Sequence, residues 1–306
     1  MHDPIVDIGS RRELFLDGFL IQHRFGLHFK LHTPERREVS LQMERPWEDN
    51  IAFFNSVLQD GGVVRLYYRA SIPDRDNEDL QVTALAESHD GGITFQRPSL
   101  GLVEFNGTRE NNILYLGEPP GIPPAFIDTN PDCDPAERYK GLSARWRQLY
   151  ASASADGIHW HAVQDEPVKM KGTFDTINTA FWDKRSGCYR SYTRYFVNLG
   201  EEDTEMANLL GPKPTVVRAI QSATSTDFIH WSEPSPNIYD DPYDEMQLYT
   251  NAVVPCPGAE HIYLSFPNRY EQERMRNPQH PITGINDALF MSSRDGVHWK
   301  RFPEAW

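Results

Sequence analysis

Ser293-Arg294-Asp295-Gly296-Val297-His298-Trp299 decides the fold, because three earlier stretches repeat its grammar. They are Ser88-His89-Asp90-Gly91-Gly92-Ile93-Thr94-Phe95, Ser154-Ala155-Asp156-Gly157-Ile158-His159-Trp160 and Ser225-Thr226-Asp227-Phe228-Ile229-His230-Trp231. Counted from Asp to Asp, the steps are 66, 71 and 68 residues. That period is too long for a solenoid repeat and fits one four-stranded propeller blade with its loops. The expected fold is therefore all-β, a propeller of four-stranded antiparallel blades.

Between the motifs the chain reads as strand, turn, strand, strand. The expected strands are Ile51 to Leu58, Val63 to Ala70 and Gln81 to Glu87 in the first repeat, then Pro124 to Asp128, Tyr139 to Arg145 and Gln148 to Ala153. The third has Asn178 to Asp183, Cys188 to Tyr195 and Val216 to Thr224, and the fourth Thr250 to Val254, His261 to Phe266 and Ala288 to Ser292. Each motif is expected to turn straight into a fourth strand. One domain results, with blades at about 45-103, 104-168, 169-236 and 237-306. Leu14-Phe15-Leu16, Asp17-Gly18 and Phe19-Leu20-Ile21 read as strand, turn and strand, a pair within 1-44 that would close the ring of a five-bladed propeller whose last blade is incomplete in this chain, the alternative being a four-bladed ring with an N-terminal extension. Residues 196 to 214 and 270 to 286 read as long polar loops between second and third strands, a length usually reserved for function or disorder.

The 306 residues carry a formal charge of −14, which disfavours nucleic acid and anionic membrane as partners, since both need basic patches. Cys133, Cys188 and Cys256 show neither paired spacing nor a zinc pattern. There is no apolar run of membrane-spanning length and no leader pattern at the first residues; a cytoplasmic location is the default expectation, with secretion left open. No Gly-rich phosphate loop, GxSxG or HExxH occurs, and no cofactor or metal is called for. The sequence does not speak to oligomeric state.

Strand order assigns the faces. In an antiparallel meander the turns after the first and third strands share one end of the sheet, and the connection from second to third lies at the other. The Asp-centred motifs, with His159, His230 and His298, therefore read as structural turns in which Asp binds backbone amides. At the opposite end the second strand closes on or near an arginine in each repeat: Arg69, Arg145, Arg194 and Arg269. Either each pairs with a carboxylate of a neighbouring blade, or some of them bind a ligand. The acids just ahead of the first strands are Glu48 and Asp49, Glu118, Asp175, and Asp244 and Glu245. Carboxylates converging on one pocket are what glycoside hydrolysis requires, one protonated and one ionised. Trp47, Phe174 and Tyr249 are candidates to stack on sugar rings. Asp128 is a rival acid that the register places near the turn end.

Several stretches together resemble the five-bladed propeller glycoside hydrolases of families 32 and 43, most nearly a bacterial family 32-like branch. They are Arg12-Glu13-Leu14-Phe15-Leu16-Asp17, Glu104-Phe105-Asn106-Gly107-Thr108 with Asn111-Asn112, Phe126 to Pro131, Phe174 to Asp183 and the Ser-x-Asp-Gly-x-x-Trp turns. The resemblance implies a propeller with a site of three carboxylates. The family 32 opening motif Trp-Met-Asn-Asp-Pro-Asn-Gly is absent, with Trp47-Glu48-Asp49-Asn50 a loose counterpart, and neither Arg-Asp-Pro nor Glu-Cys is recognisable. The leading expectation is a soluble glycosidase with Asp49 as base or nucleophile, Asp175 as stabiliser and Glu245 as general acid. Arg69, Arg145, Arg194 and Arg269 would orient a carbohydrate substrate, with Trp47 and Tyr249 stacking on it. An acidic sugar is expected only if internal pairs do not consume the arginines. The rival is a non-catalytic glycan- or protein-binding propeller, or an inactive fragment of a longer enzyme.

Overall fold

The computed structural model describes residues 5–48, 53–72, 80–117, 124–145, 148–198, 216–242, 246–271, 274, 279 and 284–305. The chain divides into two compact units, one made of Arg36–Tyr195 and Ala223–Pro234, the other of Met1–Glu35, Phe196–Ser222 and Ser235–Trp306. The fold is all-β, with four-stranded antiparallel sheets of the propeller-blade type.

In the unit built on Arg36–Tyr195, β1 (Phe53–Asp60), β2 (Val63–Ile72), β3 (Leu80–Ser88) and β4 (Ile113–Gly117) form a sheet in that order. The first turn needs only Gly61 and Gly62 between Asp60 and Val63, with Gly61 at φ +59°. Strands β5 (Ala125–Ile127), β6 (Tyr139–Arg145), β7 (Gln148–Ser154) and β8 (Trp160–Ala162) make a second sheet, again in chain order. A hairpin of β9 (Thr179–Asp183) and β10 (Cys188–Asn198), whose last three residues belong to the other unit, follows, pairing Asp183 with Cys188 and Thr179 with Tyr192. Alternation sends Tyr68, Ala70, Val82, Ala84 and Ala86 to one face of the first sheet, where they are buried with Ile113. Tyr67 and Leu85 point the other way, against Ala125 and Trp160 of the second sheet. Leu142, Leu149 and Ala151 then pack with Phe174, Ala180, Tyr189 and Phe228.

In the other unit, β11 (Val216–Ser225), whose last three residues belong to the first unit, pairs with β12 (Ser235–Pro236) through Gln221 and Ser222. The remaining strands are β13 (Ile238–Tyr239), β14 (Gln247–Leu248), β15 (Val253–Cys256), β16 (Ala259–Ser265), β17 (Asn268–Glu271), β18 (Ile285–Ala288), β19 (Phe290–Ser293) and β20 (His298–Phe302). Strands β15, β16, β19 and β20 are an antiparallel meander extended by the parallel strand β13, while β14, β17 and β18 form a small separate sheet.

Two expectations change. The first motif does not lead straight into a fourth strand: pairing begins at Glu87 with Gln96, is interrupted by a tight loop closed by Phe105 and Thr108, and resumes at Ile113, so the first sheet extends past the expected boundary at residue 103. Residues 11–21 form no strand. The Asp17-Gly18 turn is present, with Phe19 N donating to Asp17 Oδ1 at 3.0 Å, but Leu14 and Leu16 join no sheet and pack their side chains on Cys256, Ala259 and Ile262. Strands β17 and β18 enter the stretch 270–286 only at its two ends, through Tyr270 and Glu271 and through Ile285 and Asn286; most of that expected loop, like 199–214 of the other, lies outside the described residues.

Candidate functional site

The Asp-centred motifs are structural turns. Asp156, Asp227 and Asp295 each accept the amides two and three residues on and the Nδ1 side of the following histidine, which lies at 2.7 Å from the carboxylate in all three. Asp90 instead accepts Ile93 N, Thr94 N and Thr94 Oγ1 at 2.6–3.0 Å. Burial works to raise the Asp156, Asp227 and Asp295 carboxyls, and these hydrogen bonds outweigh it and hold them well below the usual range. At the same end of the second sheet, Asp128 follows β5 and is enclosed: Asn130 N donates to Oδ1 at 2.9 Å, Lys140 Nζ and Tyr189 OH to Oδ2 at 2.9 and 2.6 Å. Lys140 stays charged there because Asp128 and Tyr189 more than offset the burial that works against it.

At the opposite end, ahead of β9, Asp175 is the one exposed residue of a buried loop. Its neighbours Phe174, Thr176, Ile177 and Asn178 are all buried, while its own side chain is 53% exposed. The loop is pinned from within by Asn178 Nδ2, which donates to Phe174 O at 2.8 Å and Thr176 O at 3.0 Å. It is pinned from outside by Thr173 N, which donates to Arg194 O at 2.8 Å. Arg194, 4% exposed at the side chain, donates to Asp175 Oδ1. Arg69, projecting from β2, feels the same carboxylate: burial draws its guanidinium down to about 10, and the charge of Asp175 partly opposes that shift. The structure thus brings Asp175, Arg69 and Arg194 together, and Asp175 Oδ2 has no hydrogen-bond partner among the described residues.

The other predicted residues are distributed differently. Trp47 is half-buried, donates from Nε1 to Asn112 Oδ1 at 3.0 Å and lies edge-on to Phe105. Glu48 is fully enclosed, held by Glu44 N, Arg45 N, Tyr68 OH and Arg97. Arg269, in β17, pairs with Asp287 at 2.6 and 2.9 Å and with Glu271 at 2.9 Å, and reaches Pro303 O at 3.0 Å. Tyr249 takes the guanidinium of Arg218 over its ring at 5.5 Å, and Tyr270 takes the same group at 5.0 Å. Asp49, Glu118, Asp244 and Glu245 and the side chain of Arg145 lie outside the described residues. Sequence reasoning missed Asn178, although Asp-Thr-Ile-Asn just ahead of a strand is a local signal for a side chain closing on its own loop.

No protein-family model and no curated protein matches the chain. Among solved structures it is similar to BT0996 in a complex with RGII, at 13% identity and a TM-score of 0.51, covering 82% of this chain and 73% of that one. A glycoside hydrolase matches with the same figures. An N-acetylgalactosamine deacetylase from F. plautii, in complex with blood group B trisaccharide, matches at 13% identity and a TM-score of 0.52, covering 88% and 72%. At such identities the likeness is one of fold, and the fold is the one expected from the sequence. A hydrolase of glycosides and a deacetylase share it, so the chemistry has to be argued from side chains.

Proposed function

We propose that the protein is a glycoside hydrolase working at the end of its sheets where Asp175, Arg69 and Arg194 meet. The observation that carries this reading is the presentation of Asp175: one exposed carboxylate on a loop whose other residues are buried and internally hydrogen-bonded. Such a loop holds a charge in place without reorganisation as the reaction proceeds. Arg194 fixes one oxygen and leaves the other for a sugar hydroxyl or for the positive charge that develops at the anomeric carbon. Arg69 adds positive charge beside Asp175. Asp49 is assigned as base or nucleophile and Glu245 as general acid.

Arg194 and Arg269 are engaged by carboxylates of this chain, which favours a neutral substrate over an acidic one. The test is a panel of aryl glycosides, oligosaccharides and N-acetylated amino sugars, run on the wild type and on Glu245→Gln, Asp49→Asn and Asp175→Asn, with melting curves confirming folding. Loss of the general acid or base should lower kcat by about 10²–10⁴. Undiminished hydrolysis by Glu245→Gln removes it from the acid role. Release of acetate without cleavage of any glycoside overturns the reading in favour of a deacetylase, and neither activity favours the binding module.

A further inference from the structure

In the unit containing the last motif, a cavity of about 550 Å3 lies beside the Asp295 turn, bounded by β19, β20, the Asp17-Gly18-Phe19 turn and Asp240-Asp241. Its size falls in the ~300–1,000 Å3 range of small-molecule sites. Both of its guanidiniums are matched by carboxylates. Arg294 bridges to Asp17 at 2.6 and 3.1 Å and to Glu13 at 3.0 Å, and Arg301 holds Asp241 through two bonds, one of 2.8 Å. An anionic ligand could reach either guanidinium only by displacing one of these pairs.

The remaining lining is mixed in kind. Asp240 is exposed and makes no hydrogen bond or ion pair with any described residue. Lys300 Nζ donates to Leu16 O at 3.2 Å and rests over the rings of Phe29 and Phe302, which leaves it further N–H groups. His298 is oriented by Asp295 through Nδ1, so its Nε2 points away from that carboxylate. Phe19 is 51% exposed. Its backbone amide is held by Asp17 at 3.0 Å, and the Arg294 guanidinium sits 4.3 Å from its ring centroid, so the same Asp17 that matches Arg294 also fixes the ring.

A preset aromatic ring beside one acceptor, one ammonium donor and one imidazole, with the guanidiniums neutralised, is complementary to a ring that is apolar on its C–H face and ringed by hydroxyls that both donate and accept. We propose that this cavity is a second carbohydrate-binding site, selective for a neutral sugar unit and built from residues other than those assigned to hydrolysis. It does not depend on the hydrolytic reading, because it is a claim about binding.

The full chain is titrated calorimetrically with neutral disaccharides, with galacturonate and with spermidine, in parallel with Phe19→Ala, Asp240→Asn and Glu245→Gln. Both side chains substituted in the cavity are exposed, so these variants keep the fold. A neutral disaccharide should bind with a Kd that rises about tenfold or more in Phe19→Ala and in Asp240→Asn. It should be unchanged in Glu245→Gln, and hydrolysis of a small aryl glycoside should be unchanged in the two cavity variants. The proposal is overturned if no neutral sugar binds, if binding is indifferent to both cavity substitutions, or if galacturonate or spermidine binds more tightly than every neutral sugar.

Discussion

Replacing Glu48 by Gln should unfold the unit that carries Asp175 far more readily, although Glu48 stands next to the proposed base Asp49. The side chain is 0% exposed, and five hydrogen bonds converge on its two oxygens. Oε2 takes Glu44 N at 2.8 Å, Arg45 N at 2.9 Å and Arg97 Nη2 at 2.8 Å; Oε1 takes Arg97 Nε at 2.7 Å and Tyr68 OH at 2.6 Å. Burial by itself would raise the Glu48 carboxyl, and these donors more than reverse it, leaving the group below the usual range. An amide in its place turns one acceptor into a donor that faces donors and leaves the half-buried Arg97 without its counter-charge. Breaking a buried pair in this way costs about 3–5 kcal/mol, a large share of the ~5–15 kcal/mol that holds a domain folded. With a urea m-value near 3 kcal/mol/M, the midpoint of Glu48→Gln should fall by roughly 1 M or more. Because the folded value is depressed, the contribution of Glu48 is complete above the unfolded value of ~4.3 and is lost as pH falls through the folded one, so wild type and variant should converge in acid. A midpoint shift equivalent to less than about 1 kcal/mol at pH 7 would refute the assignment of Glu48 as the buried anion that ties Glu44, Arg45, Tyr68 and Arg97 together.

Asp175→Asn should keep the wild-type melting temperature within a few degrees while lowering kcat by about 10²-fold or more, as for other losses of positioned charge; equal kcat would remove Asp175 from the site. Asp60, whose carboxyl Arg138 and Tyr139 hold down at about 2, should contribute about 1–2 kcal/mol after screening, since Arg138 is partly exposed. That contribution is present above pH ~4 and disappears towards pH ~2, so denaturation curves of Asp60→Asn and wild type should meet at the acid end and separate above it. Gly91 and Gly157 both have left-handed φ, +81° and +76°. A Cβ on Gly91 meets nothing within 4 Å, whereas one on Gly157 meets the Tyr67 hydroxyl, the Arg65 guanidinium and, at 3.1 Å, the Tyr139 ring. Gly91→Ala should therefore cost only the ~1–2 kcal/mol of backbone strain, and Gly157→Ala about 1–3 kcal/mol beyond that; equal thermal shifts would contradict the packing of the second motif on the first sheet.

The repeats were legible because an Asp two or three residues ahead of the amides it binds is a local arrangement, written entirely within seven or eight residues. The third copy tests that logic. Phe228 stands where the other copies have Gly and still adopts φ +67°, a strained geometry for an aromatic residue. The strain is offset by burying the ring to 1% exposure among Tyr189, Phe126 and Trp231, contacts that no local pattern reveals. The segment 11–21 failed for a related reason. Alternating Leu14 and Leu16 report which side of the chain is buried, and they do pack on Cys256, Ala259 and Ile262. Periodicity does not say whether the backbone finds a partner strand. Likewise Gln96 and Ile113 belong to one edge of the first sheet, but nothing in the residues between them announces that pairing will resume.

At the candidate site the ends of the strands were legible and the allocation of partners was not. Register places Arg69 and Arg194 near the ends of β2 and β10, as alternation and turn signals indicate. Which carboxylate each arginine takes depends on three-dimensional neighbours: Arg269 is consumed by Asp287, eighteen residues on, across the β17–β18 pair. The sequence sets Glu48 and Asp175 alike among the acids ahead of the first strands and offers Asp128 as a rival nearer the turn end. The structure separates them by the donors already holding each one: five hydrogen bonds on Glu48, three on Asp128 and one on Asp175 among the described residues. A carboxylate with every lone pair occupied can stabilise the fold and can do little for a substrate. Asp175 alone of the three keeps an exposed oxygen on a loop that does not have to move to present it, and for that reason the catalytic assignment rests on it.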